Sequence, residues 1–549
     1  MFESLSLYPK PYPGIPYNEE SAKRLAGDIP NMIPILKERP EFSEALFKVT
    51  TQKLGVPIAQ LLFPGIRKPM IILEDAREIE DILVRRNKEF DKAPMAIDIF
   101  GPMFPRATLG QYTTPELKAQ KRLWADVMGT DFLRRVAAPN IHKCTLELLE
   151  LWRLKASTVY KDEAFEVHDD LKNATLDAVW NAVVGEEPGT TRYELKKLQN
   201  QLDGRKASDE KPGIGSFLKE QVAYISDTIA RNSNAPSPKL AQKFETYTPR
   251  YRKFRSTVSG EMRRAMGTAM ARYEKLDVEA LESDNVDTCA MDLVLRRQVL
   301  QAKKAGVTPS DPRKDDNILD EMFVMMVGGH DSTANTLAWF VRFIEAFPTA
   351  QSELRAALKA AFPGPDVPSA LEILDAHIPY LDGAIEETLR LSGTAKANLR
   401  QATVDTQILG CPVPKGAEVF MNYHINREQA PVDESKRSET SRAAAEKNGD
   451  GFKGPAGRDL ADFVPARWLT KDENGKDTFN AYALTSLAFG GGYRGCFGKK
   501  LAMFELRIMI VLLILNFEFE ELPDKYKPMG AIEKIFRQPE FPYGKLKAL

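Results

Sequence analysis

The stretch FGGGYRGCFGKKLA, residues 489–502, constrains this chain more than any other. Three consecutive glycines read as a tight turn, because glycine takes positive backbone angles at no steric cost. The turn opens a helix whose apolar run, 508–515, is far shorter than the roughly 18 residues of a membrane span and reads as buried. A helix start presents free N–H groups and the positive end of its dipole, so it favours an anion. The residue placed to become that anion is Cys496, as a thiolate.

Four readings of the stretch compete. A phosphate-binding P-loop fails, because Tyr493 stands where its first glycine belongs and Lys500 replaces the Ser/Thr. A dinucleotide loop is matched by Gly490, Gly492 and Gly495, with Glu518 and Glu520 at about the spacing of the acidic residue. It lacks room, however, for the further strand–helix units before Leu549. Cys496 as a small buried side chain needs nothing of its neighbours. Cys496 as a thiolate ligand to haem iron gives each neighbour a task. Backbone N–H groups reach the sulfur, Arg494 offers a fork for a propionate, and Phe489 is an aromatic wall.

The remaining cysteines, Cys144, Cys289 and Cys411, are scattered, which argues against a disulfide framework and a four-cysteine zinc site. A formal net charge of -1 provides no basic field for nucleic acid. With 43% hydrophobic residues and no obvious linker, the 549 residues read as one large unit rather than several domains. Helical periodicity fills 113–185, 189–232 and 250–305, and single helices are expected over 317–347 and 349–362. Short strands are expected at 58–62, 69–73, 406–409, 418–421 and 517–520. The fold class is therefore mainly α with a minor β part. Prolines 9, 11, 13 and 16 make residues 1–40 a stiff segment, expected as a hinge after an anchor. Residues 41–549 are the expected single catalytic domain, with a polar surface insertion at 433–459.

Phe489, Gly492, Arg494, Cys496 and Gly498 form F-x-x-G-x-R-x-C-x-G, which resembles the haem-binding signature of the cytochrome P450 family. Other stretches resemble the family in its own order. Glu387 and Arg390 in IEETLR, with Arg467 in FVPARW, are similar to its structural Glu–Arg–Arg network. VGGHDST, 327–333, resembles the oxygen-binding helix, whose Gly328 and Gly329 imply close approach of a flat cofactor and dioxygen. The resemblance makes Asp331 and the hydroxyl of Ser332 or Thr333 the proton-delivering groups. The first hydroxyl position is usually threonine in the family and here is Ser332. His330 occupies the variable position and reads as structural. Arg400, His424, Gly490 and Arg122 complete the haem-binding set that the resemblance implies. The tryptophan expected before Arg122 is absent, with Lys118 in its place.

The resemblance implies the cytochrome P450 fold, haem b as cofactor, and insertion of one oxygen atom of O2 into a hydrophobic substrate. Electrons would come from NADPH through a separate reductase, with Lys499 and Lys500 near the docking side. Oxidative coupling, isomerisation and peroxygenase chemistry on the same haem stay open. Residues 94–111, 205–250, the long helix over 317–347 and residues 394–399 would, by the resemblance, shape the substrate site. The implied setting is fungal specialised metabolism or detoxification, with membrane association at the cytosolic face of the endoplasmic reticulum, or else the cytoplasm.

Overall fold

A computed structural model describes residues 7–65, 67–206, 213–283, 286–448 and 460–549. The helices that position the site are α1 (Ile29–Glu38), α2 (Ala76–Val84), α3 (Pro94–Phe100), α4 (Pro115–Leu123) and α5 (Ala138–Ser157). They continue with α6 (His168–Val184), α7 (Pro238–Glu245), α8 (Asp316–Ala346), α9 (Pro379–Ser392), α10 (Glu439–Asn448) and α11 (Lys499–Asn516). The mainly α architecture expected from periodicity is present. The spacing placed 317–347 and 349–362 well, against Asp316–Ala346 and Pro348–Ala361.

Helix α8 is the axis of the molecule. Its 31 residues span about 47 Å at the usual helical rise. Most are buried, so the packing of a long apolar surface, rather than helix propensity, keeps it helical through two glycines. Helix α6 lies along it: the Thr175 hydroxyl donates to the His330 carbonyl at 3.1 Å. Helix α11 is apolar on nearly every side from Ile508 to Ile514 and packs against α5 in the same core. Its burial all round explains why its sequence shows no amphipathic stripe.

Beside two-stranded ladders, the largest sheet of the minor β part among the described residues has five strands, β1 (Ile58–Leu61), β2 (Met70–Leu73), β3 (Phe90–Lys92), β4 (Ala397–Ala402) and β5 (Glu418–Asn422). Its order is β1-β2-β5-β4-β3, with only the β2–β5 pair parallel. Strands β3 and β4 were not expected from the sequence. The register of that pair places Lys92 directly opposite Arg400.

The proline-containing stretch lies along β1 instead of standing off as a spacer. Gln60 N–H donates to the Pro16 carbonyl at 2.8 Å, and the Gln60 amide bridges Tyr12 and Ile15. Proline's missing N–H is no obstacle there, since the stretch supplies carbonyls to its neighbour. Residues 1–6 of the expected hinge lie outside the described residues, as do 449–459 of the expected insertion. The described part of that insertion includes α10 and the buried Arg437 and Ser441.

Candidate haem-thiolate site

The cysteine loop folds as its glycines require. Gly490 and Gly492 have φ of +63° and +62°, the left-handed region. A Cβ at Gly492 would sit 2.1 Å from the Leu83 carbonyl oxygen, so only glycine fits against the end of α2. Cys496 N–H donates to the Phe489 carbonyl at 2.8 Å and closes the loop. Burial pushes the Cys496 thiol up, while the backbone N–H groups of Gly498 and Lys499 and the Lys121 and Lys499 cations oppose it. Yet Cys496 retains accessible surface. A side chain that protein surrounds at longer range but does not cover faces a concave space.

The middle of α8 lies on a helix that packs against α11, the helix that the loop opens. Gly328 is exposed on a helix that is otherwise mostly buried, and a Cβ there would meet nothing within 4 Å. Gly329 is different: its Cβ would lie 3.1 Å from Val179 Cγ2 of α6. The expectation that both glycines admit a cofactor therefore holds in geometry for Gly328 alone. Gly329 is there for helix–helix contact. A single segment joins α8 to the loop. Arg106 N–H donates to Asp320, Thr108 donates twice to Glu321, and Arg494 Nη2 donates to the Gln111 carbonyl at 2.9 Å.

The two candidate hydroxyls part company. Ser332 is half-buried and donates to the Gly328 carbonyl at 2.7 Å, on the open side. Thr333 is buried, donates to Gly329 O at 3.0 Å and meets Glu505 of α11. Burial pushes the Glu505 carboxyl up to about 8. Thr333 is the neighbour that opposes this rise. Sequence reasoning missed Glu505, although an acid in the apolar run of α11 was a visible signal. Asp331 is buried, which alone would raise its carboxyl. Lys172 at 3.5 Å, with His330 and His168, instead holds it below the usual carboxylate range. His330 is structural, buried with Nδ1 at 3.1 Å from the Met326 carbonyl.

A cluster of cations surrounds the other side. Arg400 is buried; its Nη1 donates to Asn398 and the Leu399 carbonyl, and its Nη2 has no partner. Lys92 is buried against the Leu109 carbonyl. Burial, then the charges of Arg494 and Arg400, push its ammonium well down; Asp91 is the acid that counters them. Asp91 is itself engaged by Thr113. Like charges placed directly across a strand pair destabilise it. Buried Lys92 and Arg400 and half-buried Arg494, with Asp91 shared between Lys92 and Arg494, form a cradle for a dianion. Lys92 escaped sequence reasoning because its neighbour is set by strand register, not by spacing.

Two expected haem ligands sit elsewhere. Arg122 is exposed, with no hydrogen bond or ion pair among the described residues. The preceding residue, Lys121, turns to the loop: its Nζ donates to the Tyr493 carbonyl at 2.5 Å and lies 4.6 Å over the Tyr493 ring. One position on a helix is a rotation of about 100°, enough to reverse the assignment. His424 is buried beneath α9, its Nε2 at 3.0 Å from the Leu391 carbonyl and its ring against Gly393. Burial, with Arg537 and Lys396 nearby, drives it well below its ordinary value, so it is neutral and structural.

The Glu387 network assembles in full. Arg390 is bidentate to its carboxylate at 2.7 and 2.8 Å, and Arg467 Nε, Trp468 Nε1 and the Val464 N–H complete it. Arg390 also ties α9 to the Ile425 and Leu460 carbonyls. A buried pair is tolerable when its remaining hydrogen-bonding capacity is met in this way.

These residues fit a haem: an uncovered thiol with donated N–H groups, a glycine on α8 with open space beside it, and cations with little acid nearby. Comparison with known proteins agrees. The family model described as Cytochrome P450 matches residues 50–429 and 461–543. The chain is 30% identical to "Cytochrome P450 monooxygenase TRI13" of Fusarium sporotrichioides, over 97% of this chain and 95% of that one. It is 29% identical to "Cytochrome P450 monooxygenase GME11363" of Pestalotiopsis microspora, over 98% and 95%. The crystal structure of a cytochrome P450, CYP102L1, is similar with a TM-score of 0.62 at 17% identity, over 92% of this chain and 94% of that one. The chain thus belongs to the cytochrome P450 family, oxidoreductases that bind haem through a cysteine thiolate.

Proposed function

We propose that this enzyme inserts one atom of O2 into a hydrophobic substrate of fungal specialised metabolism, with Cys496 as the thiolate that would hold the haem iron. The observation that carries the reading is the pairing of an uncovered, N–H-solvated Cys496 with the open Gly328–Ser332 face of α8. Haem, when bound, supplies the redox chemistry that activates dioxygen; the chain supplies position, charge and protons. Lys92, Arg400 and Arg494 would hold the haem propionates. Ser332 Oγ is the hydroxyl that faces the cavity and hands on a proton. Asp331, held ionised by Lys172, takes protons from the α6 side, and neutral Glu505 keeps one at Thr333. Phe100, Val324 and Met325, half-buried beside the site, present apolar surface to a guest.

Electrons come from an NADPH-dependent flavoprotein reductase. Exposed Lys118, Lys499 and Lys500 near the loop support an acidic partner surface. No helix among the described residues is long and apolar enough to cross a membrane. Association with the endoplasmic reticulum surface is supported by Leu25, Ile29 and Ile33 at α1 and Leu240, Phe244 and Tyr247 at α7, all exposed. Helix α7 packs against α3, and Met32 of α1 shares an apolar cluster with Ala96 of α3. The test is turnover with reductase, NADPH and a panel of apolar terpenoid and aromatic compounds under 18O2. One labelled atom in product supports the reading. Product formed without O2 consumption would replace it by isomerase or peroxide chemistry.

A further inference from the structure

The family model omits residues 430–460, yet the described part of that segment is firmly attached to the protein. Arg437 is bidentate to the buried Asp75 carboxylate at 2.6 and 2.8 Å. Asp75 is also the N-cap of α2, accepting from Glu78 N–H at 2.7 Å. Ser438 and Thr440 both donate to Asp81 on the next turn, and Glu434 pairs with Arg77. The segment therefore grips α2 at its N-cap, Asp75, and at Arg77 and Asp81, an i,i+4 pair on one face.

The far end of the same helix holds the cysteine loop. The Leu83 carbonyl is in contact with Gly492, and Val84 Cγ2 would lie 2.9 Å from a Cβ at Gly491. Ser441 and Ala444 of α10, Leu83 and Val84 of α2, and Gly490 and Gly491 of the loop line one cavity of about 250 Å³. A helix of nine residues is about 13 Å long and rigid at that length. A displacement at its charged end is carried to the glycines at the other.

We propose that residues 433–448 are a brace that positions the cysteine loop through α2. Arg437 is a positioning residue: it seats Asp75, the Asp75 cap seats α2, and α2 seats Gly491 and Gly492. The loop's hold on its sulfur, through the Gly498 and Lys499 N–H groups, depends on that seat. The spectroscopic part of this inference rests on the haem-thiolate reading; the positional part does not.

The test compares wild type with Arg437→Ala, Arg437→Lys and the milder pair Ser438→Ala/Thr440→Val. Amide hydrogen exchange is read at 83–84, 490–495 and α8. The reduction potential and the carbon monoxide band of the haem-loaded protein are read alongside. The brace predicts exchange about tenfold faster at 83–84 and 490–495 in Arg437→Ala, with α8 unchanged. It also predicts a shifted potential, and partial recovery of both in Arg437→Lys. The milder pair gives the same pattern at smaller amplitude. Loosening of α10 alone, with loop exchange and potential as in wild type, would overturn the proposal. So would uniform acceleration across the protein in every variant. Faster loop exchange in a protein whose wild type lacks a thiolate spectrum would sink the haem reading and keep the brace.

Discussion

Replacing Lys92 with methionine should act in opposite directions on the haem-free and haem-loaded protein. Without haem, Lys92 stands across the strand pair from Arg400 and feels Arg494, with Asp91 in opposition. Relieving a like-charge cross-strand pair gains about 0.2–1 kcal/mol, and methionine keeps the apolar stem. With haem, the lost charge-assisted hydrogen bond to a propionate costs about 1.5–3 kcal/mol, or roughly 10- to 150-fold in haem affinity. Urea unfolding of the haem-free protein and a haem titration followed by the Soret band read the two arms. pH supplies a third. The folded Lys92 value lies below 10.5, so the unfolded chain binds the extra proton between the two. Haem-free stability should rise with pH across that window, and Lys92→Met should flatten the rise. A haem-free variant less stable than wild type, with unchanged haem affinity, would refute the cradle.

The remaining predictions are independent of that one. Ser332→Ala should lower product per NADPH roughly 10-fold or more, whereas Thr333→Ala changes it less, measured by coupling stoichiometry; equal losses would erase the distinction drawn between the hydroxyls. Gly328→Ala should stabilise the haem-free helix by about 1 kcal/mol. Gly329→Ala should lose that gain to the contact with Val179, so thermal midpoints of the two variants should diverge. Glu387→Ala should cost about 3–5 kcal/mol by leaving Arg390 and Arg467 buried without their carboxylate, seen in chemical unfolding. Because the folded Glu505 value of about 8 lies above the unfolded one near 4.5, the native state holds the extra proton between them. Its contribution to stability falls as pH rises through that window, and Glu505→Gln should remove that part of the slope.

Much of the site was legible because it is local. The loop from Phe489 to Gly498, the Glu387–Arg390 pair and the α8 motif each lie within a few residues, where spacing and helix periodicity dictate geometry. What escaped was set by tertiary register. Lys92 becomes a site residue only because β3 pairs with β4 so that it faces Arg400. Lys121 displaces Arg122 through a rotation that spacing alone does not determine. His424 looked like a cofactor neighbour in sequence, but the turn at Gly393, with φ of +51°, wraps α9 over its ring. Gly328 and Gly329 look alike in the chain and differ because one faces a cavity and the other a helix. Strand β3 was missed because it is only three residues long, and β4 because its sequence, ANLRQA, lacks the β-branched and aromatic residues that mark a strand.

The central claim is that Cys496 presents a thiolate to haem iron. The direct test is the absorption spectrum of the reduced haem-loaded protein with and without carbon monoxide, for wild type and Cys496→Ser. The account predicts a strongly red-shifted Soret band in wild type that is lost in the variant. A band typical of histidine ligation in folded wild type, or one unchanged by Cys496→Ser, would contradict it.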